Sequence, residues 1–383
     1  MLRDRSFLAA TVGLLLSALV AFPARSQSVP EGPRFSASAT GTALYVGALP
    51  PDIDRRIAVR AGFSAAAVSG DGRIFATYDE FGATVATGGA GRHVEARGQG
   101  LDLNGVVVAG SAEAAAPPTP APVADEARRV DVPNVASVSA GRGEAAPAWS
   151  DHPCAGPPLG FGSGRAVGVA VPVAAVDDAR SDATTELRPT GDAFSVVAEA
   201  RQGATTVSLL PGTPDQTTIE VLGETVLRAR ADGKSGGAAL EYAAVGADPT
   251  APFLRITRGH DITEFTSQQL FGGGVALAQT PVMDLRIGED PRGFDTAGGA
   301  PTFVSAEGTA AAGVVDIVRV QLLTGGPGEA LDVRIGHLEV EVTAPAGGVR
   351  CPVRAPNEHG LASAYGHQVR TPHRPLPRRR RKR

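Results

Sequence analysis

The residue types best suited to acid–base or metal chemistry lie close together in one stretch, 259–264 (GHDITE). It contains one imidazole, His260, and two carboxylates, Asp261 and Glu264, and such groups bind metal ions and carry protons. On a strand, His260 and Glu264 lie on one face and Asp261 on the other, because side chains alternate. A solvated loop that leads into a strand explains the same residues. His260, Asp261 and Glu264 therefore stay candidates, and no metal or cofactor is predicted.

Two further acidic stretches have side chains that suit calcium, namely 102–105 (DLNG) and the trio Glu289, Asp290 and Asp295. Neither supplies the roughly six to eight oxygen ligands that Ca²⁺ prefers. The motifs of serine hydrolases, of P-loop and Rossmann nucleotide-binding proteins and of zinc proteases do not occur in the sequence. Paired glycosidase carboxylates meet in space rather than in sequence, so a polysaccharide-acting hydrolase stays open. Aromatic platforms for sugars are scarce, with one Trp and four Tyr, and no catalytic residue is predicted.

Residues 1–26 have the pattern of an export signal. Arg3 and Arg5 give a positively charged start, 7–22 form an apolar segment, and 23–26 (PARS) supply the small residues that a signal peptidase recognises. The apolar segment is short for a membrane span. We expect cleavage at its end, and the alternative is an uncleaved N-terminal anchor. The mature chain is predicted to be secreted or associated with the cell envelope, with no membrane span.

Export also bears on the two cysteines, Cys154 and Cys351. In an oxidising compartment two cysteines are more often bonded to each other than free. Both lie beside prolines in loop-like sequence, where the backbone can adapt to the bond. The sequence therefore predicts a disulfide between Cys154 and Cys351. The alternative is a nucleophilic Cys154 with His152 as its base.

Charge is distributed unevenly along the chain. The whole sequence has 36 Lys and Arg against 40 Asp and Glu, a net charge of −4. Residues 370–383 hold eight cations and no acid, and residues 1–26 carry a net +2, which leaves −14 for residues 27–369. So acidic a body does not favour nucleic acid.

The last 14 residues form a basic tail. It ends in Arg378, Arg379, Arg380, Arg381, Lys382 and Arg383. Three interpretations stay open: binding to anionic envelope polymers or lipid headgroups, docking on the protein's own acidic body, or a solvated, disordered end without a specific partner.

The elements that would position all these residues are strands. Short segments that alternate polar and apolar residues recur at about 8–14-residue spacing, separated by Gly- and Pro-rich turns, and helical periodicity is almost absent. Clear examples are 35–46 and 57–68, and the clearest is 331–343 (LDVRIGHLEVEVT), whose alternation changes phase at Gly336 and His337, as at a β-bulge. The pattern predicts an all-β protein of antiparallel β-sandwich type.

Composition divides the chain into five segments. These are a signal peptide at 1–26, an N-terminal β-rich region at 27–110, a Pro/Ala/Gly-rich linker or long loop at 111–150, a main β-sandwich domain at 151–352 and a disordered basic tail at 353–383. The linker is predicted from the polyproline-like run 117–122 (PPTPAP). Whether the two β-rich regions form one sandwich or two stays open.

The stretches 35–49 (FSASATGTALYVGAL) and 331–352 (LDVRIGHLEVEVTAPAGGVRCP) resemble exported β-rich proteins of actinobacteria, in particular surface proteins of the choice-of-anchor class. In that class a β-rich ectodomain precedes a variable C-terminal sorting signal. The resemblance implies a β-rich ectodomain and brings no catalytic residues. After Cys351 the arginine tail stands where an L-P-x-T-G motif or a hydrophobic span would follow, so the chain departs from the class there.

Together these observations predict an exported, non-enzymatic protein of the cell envelope or extracellular space with a structural or adhesive role. Its expected partners are anionic envelope polymers or other surface proteins. The alternative is a secreted polysaccharide-binding module or a polysaccharide-acting hydrolase. A protease inhibitor would need a rigid exposed loop, for which the Pro/Gly-rich loop near Cys154 is the candidate.

Overall fold

The computed structural model describes residues 34–48, 57–79, 81–149, 159–271, 279–280, 283–287, 303–322 and 331–350. Within them the chain is nearly all β, with antiparallel sheets, and the helix α1 (Ser267–Phe271) is a single short turn. The all-β, antiparallel prediction is confirmed. No helix in this part of the chain has the length and hydrophobicity that a membrane span requires.

The described residues contain 24 strands. The first twelve are β1 (Ser36–Ala48), β2 (Ile57–Ser69), β3 (Arg73–Ile74), β4 (Thr77–Tyr78), β5 (Thr84–Ala86), β6 (Gly89–Ala90), β7 (Val94–Leu103), β8 (Val106–Ala116), β9 (Val123–Val132), β10 (Ala136–Ala145), β11 (Gly160–Val171) and β12 (Ala174–Thr190). The others are β13 (Ala193–Gln202), β14 (Thr205–Leu209), β15 (Thr217–Val221), β16 (Thr225–Ala231), β17 (Ala239–Ala244), β18 (Pro252–Arg258), β19 (Asp261–Thr266), β20 (Gln279–Thr280), β21 (Met283–Ile287), β22 (Phe303–Val304), β23 (Ala310–Leu322) and β24 (Leu331–Thr343).

Two large sheets pack face to face. The first has nine strands in the order β20-β21-β23-β24-β1-β2-β7-β8, with β22 also paired to β23. The second has eleven strands and runs β9-β10-β11-β12 before it divides. It divides because the 17-residue strand β12 pairs with β13 along one part and with β14 along another. One arm continues as β13-β16-β17 and the other as β14-β15-β18-β19.

The strand pairing joins segments that the composition separates. Strand β1 lies between β2 and β24 in the first sheet, so residues from 27–110 and from 151–352 complete one sheet. Strands β9 and β10 lie within 111–150, and β10 pairs with β11. The prediction of a linker or long loop at 111–150 is therefore wrong for most of that stretch. Its small residues suit strands that pack against a facing backbone, and the proline run 117–122 only connects β8 to β9.

The change of phase in β24 is real, but it is not an inserted residue. Gly336 has a φ of +67°, and the register with β1 is the same on both sides of it. A positive φ, which glycine adopts readily, reverses which face the following side chains occupy. Gly62 in β2 and Gly110 in β8 have positive φ at the same level of the sheet, so the phase changes along a line across the strands. The bulge prediction at Gly336 is corrected accordingly.

At that line the two sheets touch through their backbones. A Cβ atom on Gly100 would lie 2.6 Å from the Cα of Gly141, and one on Gly164 would overlap the carbonyl oxygen of Phe63. We call this contact the seam. Its glycines are Gly98, Gly100 and Gly110 on the first sheet and Gly141, Gly143, Gly162 and Gly164 on the second. Only glycine fits here, because any side chain would occupy the space of the facing backbone.

A buried serine adds hydrogen bonds across the seam. The hydroxyl of Ser181 in β12 lies 2.8 Å from the carbonyl oxygen of Gly41 and 2.6 Å from that of Gly62, and 2.9 Å from the hydroxyl of Ser64. Ser181 is fully buried. It therefore satisfies backbone oxygens of β1 and β2 where the sheets approach too closely for water.

Two hydrophobic cores flank the seam, where larger side chains hold the sheets apart. The core on one side includes Leu44, Leu101, Ile219, Leu254 and Ile335. The core on the other side includes Phe35, Val196, Leu227, Leu338 and Val342. The seam and both cores hold the first sheet rigidly, so that its other face can position polar side chains.

Candidate functional site

The structure places His260, Asp261 and Glu264 at the exposed hairpin between β18 and β19. His260 lies in the turn, Asp261 begins β19, and all three side chains are exposed. Glu264 accepts a hydrogen bond from Nε of Arg255 at 2.8 Å. Among the residues that the structure describes, no group of three or more His, Cys, Asp or Glu could hold a metal ion. The three candidates do not converge into such a site.

The carboxylate of the 102–105 stretch, a candidate calcium ligand in the sequence, forms an ion pair in the structure. Asp102 is buried and lies 2.8 Å from Nη2 of Arg60. Asn104 has a φ of 52° and accepts a hydrogen bond from the backbone nitrogen of Ala58 at 2.7 Å. The stretch is thus a hairpin turn beside an ion pair.

Several predicted features lie outside the described residues. They are the signal peptide at 1–26, Cys154, Cys351, Glu289, Asp290, Asp295 and the tail at 353–383 with Arg378, Arg379, Arg380, Arg381, Lys382 and Arg383. The Cys154–Cys351 disulfide and the disorder of the tail stay predictions.

Polar side chains converge instead on the outer face of the first sheet, the face turned away from the second sheet. Residues 70–93, which connect β2 to β7 and include β3 to β6, cross this face, and we call them the flap. Apolar contacts fasten the flap to the sheet. Val85 packs with Phe63, and Ile74 packs with Ala67.

One end of the flap covers a group of charged residues that we call the charge cluster. Its members are Arg60, Asp79, Asp102, Asp316, Arg319, Asp332, Arg334, His337 and Glu339. At its centre, Nδ1 of His337 lies 2.7 Å from Asp316, and Nε2 lies 2.8 Å from Glu339. The cluster thus holds one imidazole between two carboxylates.

Strand register explains why these residues meet. His337 lies directly opposite Asp316 on β23, and Glu339 is two residues further along the same face of β24. Arg334 precedes Gly336 and also faces outward, because the positive φ at Gly336 puts residues of even number before it and of odd number after it on the same face. Arg334 lies 3.1 Å from Asp332 and 3.4 Å from Asp316. The phase change therefore brings the charges of both halves of β24 to one face.

Aromatic rings close the cluster from above. The ring of Phe81, from the flap, stacks on Tyr45 with centroids 3.9 Å apart and lies 4.5 Å from the ring of His337. The guanidinium of Arg334 lies 4.7 Å from the centroid of Phe81, in cation–π contact. His337 is only 1% exposed as a result.

Asp79 shapes this end of the flap. Its Oδ1 accepts hydrogen bonds from the backbone nitrogens of Phe81 at 3.0 Å and Ala83 at 2.6 Å. The same oxygen lies 3.8 Å from Nη1 of Arg60. Asp79 thus holds the turn that presents Phe81 and is also a member of the charge cluster.

The cluster shifts the pKa values of its members in opposite directions. Burial disfavours the charged form of His337, but Asp316 and Glu339 outweigh it and raise its pKa to about 10. Burial, aided by the charge of Glu339, raises the pKa of Asp79 to about 6. Burial also acts on Asp316, yet His337 and Arg334 lower its pKa below the ordinary value. At neutral pH His337 is therefore an imidazolium ion-paired with two carboxylates.

This state limits what the cluster can do chemically. A general base needs a neutral nitrogen within reach of a substrate. Both ring nitrogens of His337 are bonded to carboxylates, and Phe81 covers the ring. The arrangement is suited to holding the flap on the sheet.

The other end of the flap leaves an open pocket of about 380 Å³. It lies between the flap and the ends of β1, β2 and β24. Its lining residues are Arg34, Phe35, Ser36, Ala37, Ser38, Ala67, Val68, Ser69, Asp71, Arg73, Ile74, Phe75, Thr77, Glu341 and Thr343. The volume lies within the range of about 300–1,000 Å³ that is typical of small-molecule sites.

Neither the charge cluster nor the open pocket is predicted by the sequence pattern. The alternation in 331–343 indicates one polar face, and a polar face of a strand is normally assigned to solvent. The available signal was the length of residues 70–93, which is far more than a hairpin between neighbouring strands needs. Such an excursion can cover the polar face that it crosses.

The chain was compared with models of protein families and with curated proteins, and it matched none of either. The resemblance to the choice-of-anchor class therefore stays a prediction.

Proposed function

We propose that the chain is an exported protein of the cell envelope or extracellular space with a structural or adhesive role. The observation that supports this most is the state of the charge cluster. Its imidazole is charged, hydrogen-bonded on both nitrogens and covered by Phe81, so these buried titratable groups are suited to holding the flap and not to reacting with a substrate. Two broad sheets in backbone contact along a glycine seam are closely packed and transmit strain, which suits a structural part.

Export is proposed from the leader at 1–26. Fractionation of the producing cells into cytosol, membrane, wall and medium tests it, with an antibody against the β-rich part. We expect the protein in the wall or medium, with a mass that lacks the leader. Recovery of the full-length chain in the cytosol would contradict the proposal.

The adhesive element is proposed to be the basic tail. Arg378–Arg383 would bind anionic envelope polymers by charge, so binding should weaken as salt rises. Sedimentation with purified cell walls compares the mature chain with a chain that ends at residue 369. We expect the shortened chain to lose salt-sensitive binding, and equal sedimentation of the two would contradict a role for the tail.

The hydrolase alternative is tested by turnover. The mature protein is incubated with a panel of polysaccharides, and release of reducing ends is measured. We expect no release above that of heat-denatured protein. Sustained release from any substrate would replace the structural proposal with an enzymatic one.

The disulfide between Cys154 and Cys351 is part of the same proposal, because it presumes an oxidising compartment. Intact mass of the exported protein, measured before and after reduction, should rise by two hydrogens on reduction. Two thiols that react with an alkylating reagent without reduction would contradict the bond.

A further inference from the structure

The open pocket beside the flap differs in kind from the charge cluster. Strands β1, β2 and β24 form its floor, with Ser36, Ser38 and Thr343 among the lining residues. The flap forms its wall, from Asp71 to Thr77. The pocket therefore lies between two elements that other contacts already hold, and it needs no rearrangement to admit a ligand.

Hydrogen bonds fix the wall of the pocket. Asp71 accepts bonds from the hydroxyl of Ser69 at 2.6 Å and from the backbone nitrogen of Arg73 at 3.0 Å. The bond from Ser69 lowers the pKa of Asp71, which stays a carboxylate. On the floor, the hydroxyls of Ser36 and Thr343 lie 2.7 Å apart. A wall and floor ordered in advance reduce the entropy that binding costs.

The polar groups of the lining are of mixed type and balanced charge. Two cations, Arg34 and Arg73, are matched by two acids, Asp71 and Glu341. Balanced charge does not favour a phosphate or another strong anion, which needs an excess of cations. Nor does it favour a cation. Serine and threonine hydroxyls both donate and accept hydrogen bonds, so they suit a ligand that does the same.

An exposed aromatic ring stands in the wall. Phe75 lines the pocket and is 72% exposed, although its neighbour Ile74 is buried between the flap and the sheet. A phenyl ring left in water forgoes about 25 cal/mol for each Å² that it could bury. Exposed apolar side chains rimmed by polar groups often mark binding sites.

We infer that this pocket is a binding site for an uncharged saccharide. A sugar ring has an apolar C–H face, which would pack on Phe75, and a rim of hydroxyls, which would exchange hydrogen bonds with Ser38, Arg73 and Glu341. A wholly apolar ligand would leave those polar groups without partners. The site goes beyond the proposed function, which can operate through the basic tail alone.

The experiment is calorimetric titration of the mature chain with four neutral oligosaccharides and one acidic one. The probes are cellohexaose, maltohexaose, mannohexaose, fully N-acetylated chitohexaose and pentagalacturonate. We expect at least one neutral probe to bind, and Phe75→Ala to weaken that binding at least tenfold. Ser38→Trp, which fills the pocket, should abolish it.

The matched control is Tyr78→Ala. Tyr78 is 64% exposed on the same flap but does not line the pocket, so its removal should change the affinity less than twofold. Circular dichroism confirms that each variant is folded. Failure of all four neutral probes to bind, preference for pentagalacturonate, or equal losses in Phe75→Ala and Tyr78→Ala would each overturn the inference. Because the titration uses purified protein, its outcome is independent of where the protein is located.

Discussion

The two faces of the first sheet are covered in opposite ways. On the inner face, at the seam, backbone meets backbone, and residues such as Gly100 and Gly141 leave no space between the sheets. On the outer face, charged and aromatic side chains separate the sheet from the flap. The inner contact depends on close packing and on the uncharged hydrogen bonds of Ser181. The outer one depends on ion pairs in addition to apolar contacts. The contribution of the inner face to the free energy of unfolding should therefore be insensitive to pH and sensitive to added side-chain volume. The contribution of the outer face should depend on pH.

The largest effect is expected at the seam. Gly164→Ala places a methyl group against the carbonyl oxygen of Phe63, which is backbone and cannot rotate away. We expect a loss of about 3–5 kcal/mol in the free energy of unfolding, measured by urea denaturation, or failure to fold. Gly203→Ala is the control, because its nearest neighbour would be Cβ of Arg180 at an ordinary 3.6 Å. Similar losses in both variants would mean that the seam is not closely packed.

Ser181→Ala is a milder substitution at the seam, and it tests the same contact if Gly164→Ala does not fold. Ser181→Ala removes the hydroxyl that reaches Gly41 and Gly62 and adds no volume. It should cost about 1–3 kcal/mol, because a buried carbonyl oxygen loses its partner. The deficit of either seam variant should be the same at pH 6 and pH 9.

After Gly164→Ala, the largest effect is expected on the outer face, from Arg60→Leu. Arg60 is 3% exposed and faces both Asp102 and Asp79, so its removal leaves the buried carboxylate of Asp102 without its ion-pair partner and weakens the pairing of Asp79. We expect a loss of about 3–4 kcal/mol at pH 7. Arg258→Leu, which breaks the exposed pair with Asp215, should change stability by less than about 1 kcal/mol. If Arg60→Leu were equally mild, the charge cluster would not stabilise the flap.

The imidazolium of His337 predicts a pH dependence in the alkaline range. Its pKa in the folded protein is about 10, above the ordinary 6.5, so the folded state binds the proton more tightly. That stability is complete below about pH 6.5 and is lost as the pH rises towards 10, by up to about 1 kcal/mol per unit. Urea denaturation between pH 6 and 10 should show this slope in the native protein and not in His337→Gln. An unchanged slope in the variant would assign it to another group.

The smallest expected effect on the free energy of unfolding comes from Asp79, and it appears in the acidic pH range. Its pKa is raised from 3.8 to about 6, so stability declines as the pH rises between those values. Asp79→Asn should remove that decline and gain about 1 kcal/mol at pH 7, because the amide oxygen still accepts the bonds from Phe81 and Ala83. A loss of stability in Asp79→Asn at pH 7 would show that the pair with Arg60 outweighs the cost of burial.

Local structure was largely predictable from the sequence. The segments 35–46, 57–68 and 331–343 are strands, as their alternation predicts. The prediction of a linker or long loop at 111–150 is wrong for most of that stretch. A composition rich in Ala, Gly and Pro is shared by loops and by strands that pack closely against a backbone. The sequence marked His337 only as the place where the alternation changes phase and not as a site residue, because an isolated histidine in an alternating strand is normally assigned to the solvated face.

The sequence by itself determined that the clearly alternating segments are extended, where many of the glycine turns lie and which side chains of those strands are apolar. These properties depend on backbone sterics and on neighbours within a few positions. Tertiary structure alone decided that β1 lies between β2 and β24, that some glycines belong to the seam, and that the polar face near His337 is covered. The physical reason is that burial and charge pairing depend on what lies opposite a residue. Ser36 and Thr343 share a hydrogen bond across 307 positions of the chain, and no local pattern carries that information.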